Sequence, residues 1–175
     1  MNSGLVDWAY AGYLAWLFAG TLDFACHRRT DLAHTSGLPE SLMHLLQLGL
    51  LALAILAGLL LDIGWSVWAL MAALVALHAV AGYADTRRAY GRRDLRPFEQ
   101  HVHSVLDMAP PTALGLVIAA TWESAPATGW ALAVRQPPLS PAIWTAVLVP
   151  PALLCAVPAL LELRGALAAR RGARP

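Results

Sequence analysis

The sequence predicts an all-α, polytopic membrane protein with about five transmembrane helices. Three observations predict this fold: a hydrophobic fraction of 58%, a charged fraction of only 13%, and apolar stretches long enough to cross a bilayer. A soluble domain carries about 25% charged residues, so the apolar excess belongs in lipid rather than in an oversized core. Crossing the hydrocarbon core as a helix takes about 20 apolar residues. Such stretches occur at residues 5–26, 40–61, 65–83, 103–121 and 142–163.

These stretches are expected to form one integral membrane domain that covers residues 1–175. Only residues 62–64 join the second stretch to the third, which predicts a tight antiparallel hairpin. The connections at 27–39 and 84–100 are polar and arginine-rich. The connection at 122–141 is rich in proline, alanine and glycine, which predicts an irregular outer loop.

The distribution of arginines predicts the orientation of the chain. All 12 basic residues are arginines, and only Arg135 lies on the outer side of the predicted membrane. Because basic residues concentrate in cytoplasmic loops, the N-terminus is expected outside and the C-terminus inside. Most tryptophans map near the outer interface, where indole rings prefer to lie. The lack of lysine is typical of a GC-rich bacterial genome, so the bacterial inner membrane is the expected location.

Cysteine usage and the N-terminal residues exclude several classes of protein. Cys26 and Cys155 form no CxxC or CxxCH motif, which argues against a disulfide framework, a zinc ribbon and a c-type haem. The first apolar stretch contains the acidic Asp7, has no preceding basic residue and is not followed by a small-residue cleavage site. A removable signal peptide is therefore not expected. No nucleic-acid partner is expected either.

Histidines and carboxylates collect at the inner ends of four predicted helices. Residues four or seven apart share one helix face, and each of these helices carries such a polar stripe. A charged carboxylate near the bilayer costs about 2.5–3.5 kcal/mol, so the stripes need compensating cations. The fifth stretch carries no candidate ligand and is expected to be scaffold or a gate to the lipid. The ten candidate metal ligands are Asp23, His27, Glu40, His44, His78, Asp85, Glu99, His101, His103 and Asp107.

The mixture of ligand types indicates which metal the four-helix bundle would bind. Carboxylate and imidazole ligands from antiparallel helices are typical of di-iron and di-manganese sites in soluble bundles. Ten candidates are too many for a single zinc ion, which takes four ligands. Two metal ions are therefore expected, with iron as the first choice and manganese or zinc as alternatives. One zinc ion surrounded by outer carboxylates also fits the pattern.

Two explanations without a metal stay open at this stage. In the first, arginines pair with the carboxylates in a structural polar network, for example Arg88 with Asp85 and Arg96 with Glu99. In the second, the polar stripes form a proton path.

His101 and His103 would both be ligands only if the backbone there is not a regular helix, because on a regular helix they point about 200° apart.

Over about residues 20–107 the pattern resembles the integral-membrane histidine-rich di-iron enzymes, namely fatty-acid desaturases, fatty-acid and sterol hydroxylases, and alkane monooxygenases. The shared feature is a metal cluster at the cytoplasmic ends of transmembrane helices. The chain departs from those families in having six histidines in all and no HxxHH motif. The resemblance implies a di-iron oxygenase, hydroxylase or desaturase that acts on a lipid-like, hydrophobic substrate. Electrons would come from an external donor, because the sequence has no flavin, nucleotide or ferredoxin motif.

Two other functions are consistent with the same residues. One is a zinc- or manganese-dependent membrane hydrolase of a lipid, with Glu40 or Glu99 as the catalytic general base. The other is a metal carrier or accessory subunit without enzymatic activity. Bound iron with oxygen consumption would favour the oxidoreductase, a single tightly held zinc the hydrolase, and exchangeable metal without turnover the carrier.

Overall fold

The computed structural model describes residues 3–172, so Arg174, counted among the inner arginines, lies outside the described residues. Within this range the chain is helical and forms no strand. A single 3-10 turn, Leu32–His34, follows the first helix, and a π-helical segment, Ala152–Ala156, joins the last two helices. The α-helices are α1 (Ser3–Arg29), α2 (Leu38–Leu60), α3 (Trp65–Ala89), α4 (Pro97–Thr121), α5 (Ala125–Thr128), α6 (Pro141–Pro151) and α7 (Val157–Gly172).

Four helices are long and apolar enough to cross a membrane. They are α2, α3, α4 and the continuous helix Pro141–Gly172, which runs from α6 through the π segment into α7. This confirms the predicted all-α, polytopic architecture. The 27-residue α1 is not among the four, so the fifth span stays a prediction, as does the orientation of the chain.

Two helices continue beyond their predicted ends and carry candidate ligands with them. α3 runs to Ala89 rather than to residue 83, and α4 begins at Pro97 rather than at residue 103. Proline suits the first turn of a helix, where its missing N–H leaves no hydrogen bond unmade. Asp85 and Glu99 therefore lie on regular helix, which fixes the direction of each side chain.

The long helices pack in a closed ring in the order α1, α4, α3, α2, α7. The α2–α3 pair is the tight hairpin that residues 62–64 predict. The last helix lies between the first two, because α7 packs on both α1 and α2. We call the end of the ring near Arg28, Arg93 and Arg170 the arginine-rich end. The C-terminal ends of α1, α3 and α7 meet the N-terminal ends of α2 and α4 there.

Gly64 holds the turn of the α2–α3 hairpin against the loop that follows α4. A Cβ at this position would lie 2.6 Å from the carbonyl oxygen of Gly129 and 2.9 Å from the side chain of Thr128. The Trp65 N–H donates to that same carbonyl at 2.8 Å, so the backbone cannot move away without losing a hydrogen bond. Only glycine therefore fits here.

We expect Gly64→Ala to destabilise the protein by about 1–3 kcal/mol, because the added methyl group must displace backbone. Thermal unfolding in detergent, followed by tryptophan fluorescence, measures the effect. Gly49→Ala is the control, since a Cβ there meets no atom within 4 Å. That control should be neutral or stabilising, because alanine is the better helix former. Equal melting temperatures for the two variants would contradict the close packing at Gly64.

Candidate metal centre

Four predicted ligands from α1 and α4 converge at the arginine-rich end. Asp23, His27, Glu99 and His103 each offer a ligand atom, and these atoms all lie within 4.8 Å of one another. His103 Nε2 lies 2.9 Å from Asp23 Oδ1, and His27 Nε2 lies 3.3 Å from Asp23 Oδ2. The spacing of four residues on each helix turns both side chains of a pair toward the neighbouring helix. The side chains of His27 and Glu99 are completely buried.

A second group adjoins the first and shares one histidine with it. Ligand atoms of His27, Glu40 and His44 also lie within 4.8 Å of one another. The rings of His27 and His44 stack nearly parallel, with centroids 4.5 Å apart, and the Phe24 ring packs edge-on against both. His44 Nε2 faces Asp85 Oδ2 at 3.0 Å. We call the combined set the ligand cluster: Asp23, His27, Glu40, His44, Asp85, Glu99 and His103.

Glu162 on α7 joins the ligand cluster from the helix that was expected to carry no ligand. Its Oε2 lies 2.8 Å from His27 Nδ1, and its Oε1 lies 2.7 Å from His44 Nδ1. A carboxylate only accepts hydrogen bonds, so each Nδ1 carries the proton and donates to Glu162. In neutral imidazoles, the Nε2 atoms of both rings are then left with free lone pairs. Metal-binding histidines are commonly held in this way, by a carboxylate on the far nitrogen.

Several buried atoms of the ligand cluster have no hydrogen-bond partner among residues 3–172. An unpaired buried polar atom costs about 1–3 kcal/mol, so a group of them needs an explanation. His27 Nε2 and His44 Nε2 have carboxylates within reach but not in hydrogen-bonding geometry. A metal ion would satisfy imidazole nitrogens and carboxylate oxygens together. The cluster could therefore hold a metal ion, and its unpaired atoms are His27 Nε2, His44 Nε2, Glu40 Oε2, Asp85 Oδ1 and Glu99 Oε2.

Arg93 is a buried cation that closes the cluster from the loop between α3 and α4. Its Nε and Nη2 donate to Glu40 Oε1 at 2.9 Å and 2.7 Å, and its Nη1 pairs with Glu99 Oε1. Only 1% of its side chain is exposed. Burial opposes the positive charge, but Glu40 and Glu99 outweigh that effect and raise the pKa of Arg93 above its ordinary value.

The arginine pairing that the sequence suggested as an alternative occurs with a different arginine. Glu99 pairs with Arg93, whereas the exposed Arg96 lies 3.7 Å from Asp94. Asp85 faces His44 and accepts a hydrogen bond from Gln47 at 3.2 Å. Arg93 thus neutralises part of the negative charge of the carboxylates, and several carboxylate oxygens stay unpaired.

Three predicted ligands lie apart from the cluster. His101 is exposed, because α4 is a regular helix there and turns His101 away from His103. His78 is buried on α3 and lines a cavity beside the cluster. Asp107 lies on an exposed part of α4, with its Oδ1 close to Gly82. His34 is also outside the cluster, paired with Asp31 at 2.8 Å on an exposed turn.

An apolar cavity of about 130 Å³ borders the cluster on the side away from the arginine-rich end. Its polar lining consists of Asp23, His44, Gln47 and His78. Its other walls are mainly apolar, and they include Trp16, Leu17, Phe24, Leu48, Leu51 and Leu106. A ligand in this cavity would lie in an apolar environment with imidazole and carboxylate groups at one end.

No protein-family model, curated protein or solved structure matches the chain. The site's own chemistry must therefore indicate the function. That chemistry combines buried imidazole and carboxylate groups, unpaired ligand atoms and an adjoining apolar cavity.

Proposed function

We propose that the chain is a membrane-embedded dimetal oxidoreductase, with iron as the metal, that oxidises a hydrophobic substrate at the cytoplasmic face. The observation that carries the proposal is the arrangement of His27 and His44. Glu162 holds both rings by Nδ1, while both Nε2 atoms face carboxylates without a hydrogen bond. A purely structural network would be expected to pair these atoms.

The charges of the site support two divalent ions. Five carboxylates come together here: Asp23, Glu40, Asp85, Glu99 and Glu162. Arg93 is the one arginine among the described residues that pairs with them. With neutral imidazoles this leaves four negative charges, which two divalent cations would balance. Protonation of three histidines would leave a net negative charge buried, and burial of an unpaired charge is strongly unfavourable.

The ligands divide naturally between two metal positions. Asp23, His27, Glu99 and His103 would hold one ion, because their ligand atoms already lie within 4.8 Å of one another. His44 and Asp85 would hold the second, with Glu40 between the two groups. Carboxylate and imidazole ligands from several helices are the donor set that iron and manganese use in helix bundles.

Bound iron would supply the oxidising chemistry, using dioxygen and an external reductant. The overall reaction is balanced if one oxygen atom enters a C–H bond of the substrate and the other leaves as water. Two electrons and two protons must then come from the donor. An acidic donor protein fits the arginine-rich end, since opposite charges favour docking.

The protein's own residues would prepare the site for this reaction. Glu162 fixes the orientation of two imidazoles, and Arg93 neutralises part of the carboxylate charge. Phe24 covers both rings and limits access of water. The adjoining cavity would place an apolar substrate at His44 and Asp23.

The metal content of detergent-purified protein, measured by elemental mass spectrometry, tests the proposal. We expect about two iron ions per chain, and a loss of metal in both His44→Ala and Glu99→Ala. His101→Ala is the control and should keep its metal, because His101 is exposed and lies apart from the cluster. One zinc ion per chain would favour the hydrolase with Glu40 or Glu99 as general base. No metal after purification without chelators would contradict the proposal and leave a structural network.

A further inference from the structure

Two cavities lie one after the other inside the helix ring. The inner cavity, of about 130 Å³, borders the ligand cluster, and the outer one has a volume of about 260 Å³. Trp16 and Leu51 line both cavities and therefore lie at the junction between them. The interior of the ring thus contains a path of low packing density that leads from the cluster toward the outer ends of the helices.

One face of α2 follows this path from His44 onward. Most of the α2 residues that line the cavities recur at intervals of three or four, which places them on one helix face, and Ala52 and Leu59 lie beside it. From His44 to Gly58 the helix rises by about 20 Å, at about 1.5 Å per residue. The same face therefore carries a candidate metal ligand at one end and an apolar wall beyond it. The lining residues that form this stripe are His44, Gln47, Leu48, Leu51, Ala54, Ile55 and Gly58.

The walls of the outer cavity offer almost nothing to a polar ligand. Its one side-chain hydroxyl belongs to Tyr13, which already donates to the Val147 carbonyl at 2.7 Å. The other lining residues are aliphatic or aromatic or are glycine and proline, including Ile55, Met71 and Leu114. Apolar cavities of about 150 Å³ in proteins stay dry and bind molecules such as benzene. A long narrow apolar path therefore fits an aliphatic chain.

We propose that the two cavities form a binding site for one unbranched aliphatic chain, with carbon atoms in the inner cavity lying next to His44 and Asp23. An aliphatic chain in this site would be the substrate of the proposed oxidoreductase, and this substrate role rests on the proposed function. Chain binding itself needs only the apolar walls. The chain could belong to a membrane phospholipid or to a free long-chain compound, because both have the same hydrocarbon chemistry.

Photolabelling in phosphatidylcholine nanodiscs tests the site directly. The probe is a palmitic acid that carries a diazirine at mid-chain, and peptide mass spectrometry locates the labelled residues. We expect label on Trp16, Leu48 and Leu51 in protein with metal and in protein stripped by a chelator. Excess unlabelled palmitic acid should remove this label, because it competes with the probe for one saturable site. Varying the acyl-chain length of the nanodisc phospholipid separates the two sources: it should change the interior label if a phospholipid chain competes for the site, and leave it unchanged if the site takes only free chains.

Two cavity-filling variants separate a specific site from general contact with lipid. Leu51→Trp fills the junction and should lower interior labelling at least about tenfold, the factor that corresponds to about 1.4 kcal/mol of binding energy. Leu53→Trp is the control, because Leu53 is 56% exposed on the outside of the ring and should leave the interior label unchanged.

Gly58→Leu fills only the outer cavity, and it is the variant to use if Leu51→Trp fails to fold. A Cβ at Gly58 would be 3.8 Å from Met71, an ordinary contact, so the first carbon of the new side chain fits without displacing its neighbours. It should weaken labelling by the palmitic acid probe more than labelling by an octanoic acid probe. Equal effects on both chain lengths would contradict a single continuous site.

The outcomes distinguish failure of this site from failure of the proposed function. Label confined to lipid-facing residues such as Leu53, or unaffected by both filling variants, overturns the aliphatic-chain site. Interior label in a protein that never binds metal leaves the chain site intact and overturns only the dimetal function.

Discussion

Exchanging Glu162 for alanine is expected to lower the metal affinity of the protein by about 100-fold, the upper end of the usual effect of removing a residue that orients a metal ligand. The effect should be at the upper end because Glu162 holds two histidines at once. Without it, the rings of His27 and His44 can rotate, and nothing fixes the proton on Nδ1. Competition with a chelator of known affinity measures the change.

The conservative exchange separates orientation from simple packing. Glu162→Gln keeps the size of the side chain but replaces one accepting oxygen by an NH₂ group, which only donates. One histidine can still be held, so the metal affinity should lie between those of wild type and Glu162→Ala. Glu123→Gln is the control, since Glu123 is exposed at the other end of the ring. If Glu162→Gln and Glu162→Ala bind metal as tightly as wild type, Glu162 does not position the ligands.

Replacing Arg93 with alanine is expected to destabilise metal-free protein by about 3–5 kcal/mol, the usual cost of removing one partner of a buried ion pair. Glu40 and Glu99 are both fully buried, and the substitution leaves their charges facing each other without a cation. Thermal unfolding of chelator-treated protein measures the loss.

The neighbouring arginine provides a matched control for this prediction. Arg92 is exposed on the same loop, so Arg92→Ala should change stability by no more than about 0.5 kcal/mol. Added divalent metal should restore part of the stability of Arg93→Ala, because a bound cation replaces the missing positive charge. The triple variant Arg93→Met, Glu40→Gln, Glu99→Gln should recover stability without metal. Equal losses of stability in Arg92→Ala and Arg93→Ala would show that the buried ion pairs of Arg93 contribute little to the free energy of unfolding.

The helix pattern and much of the ligand cluster could be predicted from the sequence. The spacing of four residues in Asp23/His27, Glu40/His44 and Glu99/His103 fixes which side chains share a helix face once the segments are helical. Helix direction alone then brings these faces to one end. The same reasoning cannot give the order of helices in the ring, because that order depends on long-range packing.

Two residues of the site, Glu162 and Arg93, were not predicted from the sequence, and the physical reason differs between them. Glu162 was detectable in principle, since it is the only carboxylate in the predicted span 142–163, and an ionisable residue within a span is a candidate functional residue. Arg93 was not detectable, because it is one of several arginines in its loop. Only the tight turn at Gly91, where φ is +74°, and the packing of the loop select Arg93 to point inward.

The position of α7 between α1 and α2 has a consequence for biogenesis. Helices are made in chain order, so α1 and α2 are synthesised well before the helix that separates them in the ring. A nascent chain therefore carries His27 and His44 without the carboxylate that holds them in place. The arrangement in which Glu162 holds both histidines can form only after the last helix has inserted. The orientation of these two rings is thus completed last, when the ring of helices closes.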